Sequence, residues 1–242
     1  MPLVVASERA EQTISRCHIC QLAPPPFERA VAFGSYDGVL RDLVHLLKFG
    51  QVRPAAQVLG RMQAVSIASI EPTVPAGTIV VVPVPLHRHK RSERGFNQAE
   101  LIARAALKHL LRSYRPERFE VVVSTLMRLR DTGSQIGLTR HQRRQNLRGA
   151  FAVRDATPIA NRDVLLIDDV YTTGATASEC ARVLRRAGAA RVWVATVGRT
   201  LRILDPLMPT DSQEQGREAG TKGPVSAQES REPLSGIAVG VG

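Results

Sequence analysis

One string constrains this chain more than any other: Val164-Leu165-Leu166-Ile167-Asp168-Asp169-Val170-Tyr171-Thr172-Thr173-Gly174-Ala175-Thr176. The run from Asp163 to Ile167 has the content of a strand buried on both faces, the habit of parallel sheets. Its end meets two adjacent carboxylates, which repel each other and lose hydration unless a ligand or cation compensates them. A turn of small and hydroxylated residues follows, and then a helix from about Ala175 to Ala187, closed by Gly188. Backbone N–H groups and the dipole at such a helix start converge on a phosphate. Two acids and a phosphate cradle this close together suit a ribose 5-phosphate, with the diol on the acids and the phosphate in the turn. A capped helix after a strand with two solvent-facing Asp would explain Asp169 or Thr173 alone, but not the whole string. Neither G-x-x-x-x-G-K-[ST] nor G-x-G-x-x-G occurs, so neither a P-loop nor a dinucleotide-binding turn is offered.

The flanking segments extend this into an α/β domain with a parallel sheet. Thr78 to Val82 reads as a second buried strand ended by Pro83 and Pro85, and Arg191 to Val197 as a third. Strand, helix, strand units of this kind bind ligands beyond the carboxyl ends of their strands. Helical spacing predicts a helix over Val39–Lys48, with Gly50 as a left-handed stop. Pro54 opens a second helix whose inner face is read as Val58, Leu59, Met62 and Val65. Further helices are expected over Asn97–Leu111 and Thr139–Leu147, with short strands at Val121–Val123 and, as a sheet edge, Ala150–Val153. The organisation that follows is an amino segment, 1–30, a core domain, 31–204, whose residues 31–70 form a helical hood, and a tail, 205–242. That tail carries six acids, three bases and no aromatic residue, the composition of a disordered segment.

Charge is concentrated rather than spread. The 242 residues have a formal net charge of +11, and between Arg88 and Arg148 there are 15 Lys plus Arg against 5 Asp plus Glu. Only four of the 33 basic residues are lysines: Lys48, Lys90, Lys108 and Lys222. Such a block attracts small polyphosphates or nucleic acid, the plainer alternative being a solvated basic face. No run of about 18 uncharged apolar residues exists, which excludes a membrane-spanning helix. The amino end, MPLVVASERAEQ, lacks the pattern of a secretory signal, so a cytoplasmic location is expected. Three cysteines do not make a disulfide framework.

The string from Val164 to Thr176 resembles the signature of type I phosphoribosyltransferases, and further segments resemble the ComF family in order. They are Tyr36-Asp37-Gly38, Leu46-Leu47-Lys48-Phe49-Gly50, Val82-Pro83-Val84-Pro85-Leu86 and Arg94-Gly95-Phe96-Asn97-Gln98-Ala99-Glu100. Arg128, Arg130, Gln135, Arg140, Arg144, Asn146 and Phe151 complete the pattern, which spans residues 15–200. The resemblance implies a type I phosphoribosyltransferase fold with a hood. It also implies that Asp168 and Asp169 contact the ribose hydroxyls of phosphoribosyl pyrophosphate (PRPP). Thr172, Thr173, Gly174, Ala175 and Thr176 would hold its 5-phosphate, and Leu86, His87 and Arg88 would approach its pyrophosphate. Arg128, Arg130 and Gln135 would belong to a mobile loop over the site. Mg²⁺ is expected to bind mainly through PRPP, and the reaction is displacement of pyrophosphate by a nitrogen nucleophile.

One feature departs from the family. Its members commonly begin with paired cysteines resembling a zinc ribbon, whereas here Cys17-His18-Ile19-Cys20 supplies half of a four-ligand site, so structural zinc is not expected. Cys180 reads as a packed residue. His87 and His89 are as readily solvent-facing as phosphate ligands. Two functional classes remain: a Mg²⁺-dependent phosphoribosyltransferase with an unassigned acceptor, or a non-catalytic protein of DNA uptake that binds single-stranded DNA or senses a nucleotide. Few aromatics are available for base stacking in the basic block, which weighs against the DNA platform.

Overall fold

Five strands form one parallel sheet in the order β1-β7-β6-β2-β3: β1 (Arg29–Ser35), β2 (Ile79–Pro83), β3 (Phe119–Val121), β6 (Asp163–Tyr171) and β7 (Arg191–Arg199). The computed structural model describes residues 18–132 and 139–200, and of His18, Ile19, Arg140 and His141 the backbone only. Cys17, Gln135 and the segment 205–242 therefore lie outside the described residues. The parallel α/β sheet read from the sequence is present. Central β2 is buried along its whole length, as its Ile-Val-Val-Val-Pro run requires.

Two helical layers cover the sheet. On one face α7 (Ala175–Arg186) packs Cys180, Ala181 and Leu184 onto Val164, Leu166, Val192 and Val194. On the other, α3 (Ala55–Ile70) and α5 (Gln98–Leu110) bury Ile67, Ile70, Ala103 and Ala106 against Leu165, Ile167 and Trp193. A third cluster joins α2 (Gly38–Lys48) through Val44 and Leu47 to Leu59, Phe96, Ile102 and Val197. A two-stranded antiparallel ribbon, β4 (Leu126–Arg128) with β5 (Phe151–Val153), stands apart from the main sheet and brackets the arginine-rich segment. Its return arm includes α6 (Arg140–Leu147), opened by a capping box in which the Thr139 and Gln142 side chains each bond the other's backbone N–H.

Several local expectations change. β1 and the short α4 (Arg88–Arg94) were not anticipated, so the segment read as a helical hood begins in a strand. The chain also has a short α1 (His18–Leu22). β5 pairs with β4 rather than forming an edge of the sheet, whose edges are β1 and β3, and β3 starts two residues earlier than the strand expected at Val121–Val123. In α3 the inner stripe is Leu59, Gln63, Ser66, Ile67 and Ile70, while Val58 and Val65 point outward, 41% and 59% exposed. The cause is Gly60, whose missing side chain lets α3 and α5 touch. A Cβ there would lie 2.4 Å from the Ala105 Cβ, which sets the rotation of the helix. After α2 the left-handed residue is Gln51, with φ +53°, and not Gly50. Gly50 is needed for space, since a Cβ would sit 2.9 Å from the Leu46 carbonyl oxygen.

The contact at Gly60 yields a test. Alanine gains about 1 kcal/mol over glycine in a helix, but overpacking a helix interface costs about 1–3 kcal/mol. Gly60→Ala is expected to lower stability by about 1 kcal/mol net in urea unfolding, and Gly60→Ala with Ala105→Gly to recover most of it. A stabilised single variant would show that α3 and α5 are not locked there.

Candidate functional site

The carboxylates lie inside the sheet ladder rather than beyond it. β6 continues past Ile167, with Asp168 paired to Thr196 and Val170 to Gly198. Successive strand residues leave on opposite faces, so the two acids diverge. Asp169 faces the hood, where its Oδ2 forms an ion pair with the Lys48 ammonium at 2.7 Å, and the residue is 4% exposed. Asp168 faces the α7 side and accepts the Asp169 backbone N–H at 2.9 Å through Oδ1.

Asp168 retains some open surface, yet the protein around it strips most of its hydration. Desolvation first, and repulsion by Asp169 second, push its pKa up to about 7, against the opposing pull of Lys48, the Asp169 N–H and Arg128. Burial alone would lower the Lys48 pKa, but Asp169 beside it outweighs burial and holds the ammonium charged. Desolvation depresses Arg128, with Asp131, Cys180 and Asp168 opposing it. The Arg128 guanidinium stacks 5.5 Å from the Phe151 ring, its cross-strand partner in the ribbon, and donates to the Thr132 hydroxyl. The Cys180 thiol is fully buried and its pKa pushed well up, as befits a packed side chain.

The turn after β6 meets Asp168 in one narrow pocket, lined by Asp168, Tyr171, Thr172, Gly174, Ala175 and Thr176 among others. Gly174 has φ +74°, and a Cβ on it would lie 2.2 Å from the Tyr171 hydroxyl, so no other residue fits. It occupies the N-cap of α7 and no side chain caps the helix. The leading amides are therefore left to the pocket. The Thr173 hydroxyl oxygen is buried without a hydrogen-bond partner, and Thr172 accepts from Arg143 at 3.4 Å.

The pyrophosphate-loop candidates lie across from the ribbon. Leu86 and Arg88 line a cleft of about 380 Å³ together with Arg91, Arg128, Arg154 and Glu100. His87 points its Nδ1 to 3.8 Å from Asp131 Oδ2. Arg130 turns away from the acids and donates to the Arg148 carbonyl at 2.5 Å, tying the ribbon to the end of α6. Glu179 on α7 clamps the same region, accepting from the Gly149 N–H at 2.7 Å and from Arg182 at 2.5 Å. A larger concavity of about 650 Å³, around Gly77, Tyr114 and Arg118, opens near the amino end of β2, at the opposite edge of the sheet from the acids.

Lys48, Arg143 and Glu179 are the residues whose parts at the site the sequence reading did not assign. Lys48 carried a signal: a lysine at a helix end in a chain whose bases are almost all arginine. Arg143 and Glu179 carried none, because their partners are 29 and 30 residues away.

No protein-family model matches the chain. Curated relatives do. The DNA utilization protein YhgH of Escherichia coli (strain K12) is 34% identical over 188 residues, covering 76% of this chain and 78% of its own. The chain belongs to the ComF family. Competence protein F of Haemophilus influenzae, a more distant relative, is 28% identical over 183 residues, covering 74% of this chain and 76% of its own. Among solved structures, a B. subtilis glutamine PRPP amidotransferase complexed with ADP and GMP overlaps 60% of this chain and 26% of its own. Its TM-score is 0.34 at 22% identity, too loose to bear on the site. In this ComF protein the type I phosphoribosyltransferase arrangement is visible in its own sheet: acids late in β6, a glycine turn, then α7. Among the described residues no helix is long and apolar enough to cross a membrane.

The raised Asp168 pKa sets a pH signature. An unfolded Asp titrates near 3.9, so between roughly pH 4 and 7 the native state holds a proton that the unfolded state has lost. Stability contributed by this group is present below pH 4 and declines as pH rises to about 7. Asp168→Asn removes that loss, so its melting temperature relative to wild type should rise from pH 4 to pH 8. A pH-independent difference would show that Asp168 titrates normally.

Proposed function

We propose that this ComF protein binds PRPP and transfers its phosphoribosyl group to a nitrogenous acceptor. One observation carries the reading: the uncapped start of α7, its obligatory glycine and a carboxylate held late in the parallel sheet line a single pocket. A phosphate satisfies the amides and the Thr173 hydroxyl, and a sugar hydroxyl satisfies Asp168, which no simple anion would do.

The chemistry follows from the charges. As the anomeric C–O bond to pyrophosphate breaks and a C–N bond forms, positive charge grows on the ribose and negative charge on the leaving group. Asp168 faces the first, and Arg128 and Arg88 lie on the side of the second. The acceptor nitrogen releases its proton to solvent or to a neighbouring base, and no covalent enzyme intermediate is required. Among the described residues no group of three or more His, Cys, Asp or Glu is placed to cage a metal. The residues suit Mg²⁺ carried on the pyrophosphate oxygens, with Glu100 on the cleft wall as a carboxylate to assist. Bound there, the ion would neutralise the departing charge.

Titration calorimetry with PRPP and Mg²⁺ tests the reading. Asp168→Asn and Thr173→Val should each weaken binding about tenfold, the ~1.4 kcal/mol worth of one charge-assisted or buried hydrogen bond. Equal affinity in Asp168→Asn would remove the diol contact. Pyrophosphate release across a panel of bases and amines then identifies the acceptor.

A second reading has its own observation. Relatives are named for DNA utilization and competence, and the 380 Å³ cleft has four arginines on its walls against one glutamate. Single-stranded DNA could run along them through its phosphates. Anisotropy of a labelled oligonucleotide should then fall steeply with salt, and Arg88→Ala with Arg91→Ala should flatten the slope by about two phosphate contacts. A flat response in wild type would end this reading.

A further inference from the structure

A buried carboxylate attracts a cation, and at Asp169 that place is taken by the protein itself. The Lys48 Nζ stands 2.7 Å from Asp169 Oδ2, with the two side chains 20% and 6% exposed. It is also within electrostatic reach of Asp168 and Tyr36. We propose that Lys48 is a positioning residue, a built-in counter-ion that occupies the place of a metal at Asp169, so that the sugar end of a ligand binds without one.

Three features hold the ammonium there. β1 runs parallel to β7 and ends at the same edge as the acids, so the turn at Tyr36-Asp37 delivers α2 over that edge. Val44 and Leu47, 0% and 1% exposed, press the same helix onto Leu59, Phe96 and Val197. The chain then turns sharply, through Gly50 against Leu46 and Gln51 at positive φ. Beyond the turn, Arg94 stacks 5.5 Å from Phe49 and Arg53 stacks 5.3 Å from Phe96. Lys48 is thus the last residue of a helix fastened on both sides, near a helix end that favours a cation.

A fixed ammonium and a divalent ion cannot share the same oxygens. Lys48 aims Asp169, and any metal requirement then belongs to the pyrophosphate end of the ligand alone. The first consequence is independent of the function proposed above; the second rests on it.

The test uses Mn²⁺ alone, followed by electron paramagnetic resonance, on the full chain. Wild type should show no Mn²⁺ site at the acids, whereas Lys48→Met and Lys48→Gln should each acquire one site at least tenfold tighter, lost again on adding Asp169→Asn. Lys48→Arg should remain like wild type. Melting curves identify folded variants, and should neither Met nor Gln fold, the wild-type arm still decides. An Asp169-dependent Mn²⁺ site in wild type, or folded variants that gain none, overturns the inference. In the second arm, calorimetry with ribose 5-phosphate should give the same wild-type affinity in Mg²⁺ and in EDTA. Loss of that affinity in EDTA overturns the inference. Absence of any ribose 5-phosphate binding in wild type overturns the PRPP reading and leaves the Mn²⁺ result to judge Lys48.

Discussion

Two negative charges placed side by side late in a buried strand are the cost around which this domain is organised. Water cannot reach both carboxylates, and each raises the other's energy. The fold answers asymmetrically: Asp169 receives Lys48 in direct contact from the hood, while Asp168 receives the more distant charges of Lys48 and Arg128 and one backbone N–H. Strand alternation makes this division possible, because it sends one acid to each face of the sheet. The result is one neutralised carboxylate and one poised near neutrality, beside an uncapped helix start.

Much of the surrounding structure serves to hold those partners. The hood reaches Asp169 only because β1 adds a parallel strand next to β7 and ends at the edge where the acids lie. The arginine-bearing ribbon faces Asp168 because β4 and β5 pair independently of the main sheet, and because Glu179 pins its return arm to α7 while Arg130 ties its outgoing arm to the end of α6. Neither device lies in the string that carries the pocket beside Asp168. The surroundings of the two acids are therefore built from segments far apart in the chain.

The pocket itself was legible because its chemistry is local. Asp168, Gly174 and Thr176 are close in sequence, and strand, turn and helix geometry alone brings them together. Central strands β2 and β6 were readable for a related reason: uninterrupted β-branched and leucine runs have few other fates. The misreadings have physical causes. α3 carries two apolar stripes, and only the Gly60 contact with Ala105 selects which one turns inward. β1, Arg-Ala-Val-Ala-Phe-Gly-Ser, sits at the sheet edge, where burial is partial and the pattern weak. α4, Arg-His-Lys-Arg-Ser-Glu-Arg, has no apolar stripe and exists as a bridge between a proline-rich loop and Gly95 at positive φ.

What the amino-acid sequence determined by itself is the parallel α/β class, the order of its central units and the small-residue turn that joins β6 to α7, since these depend on contacts within a few residues of one another. What only the tertiary structure decided is the environment of the two acids. A charge is set by everything within several ångströms, and here that neighbourhood is built from Lys48, Arg128 and α7, drawn from opposite ends of the described chain.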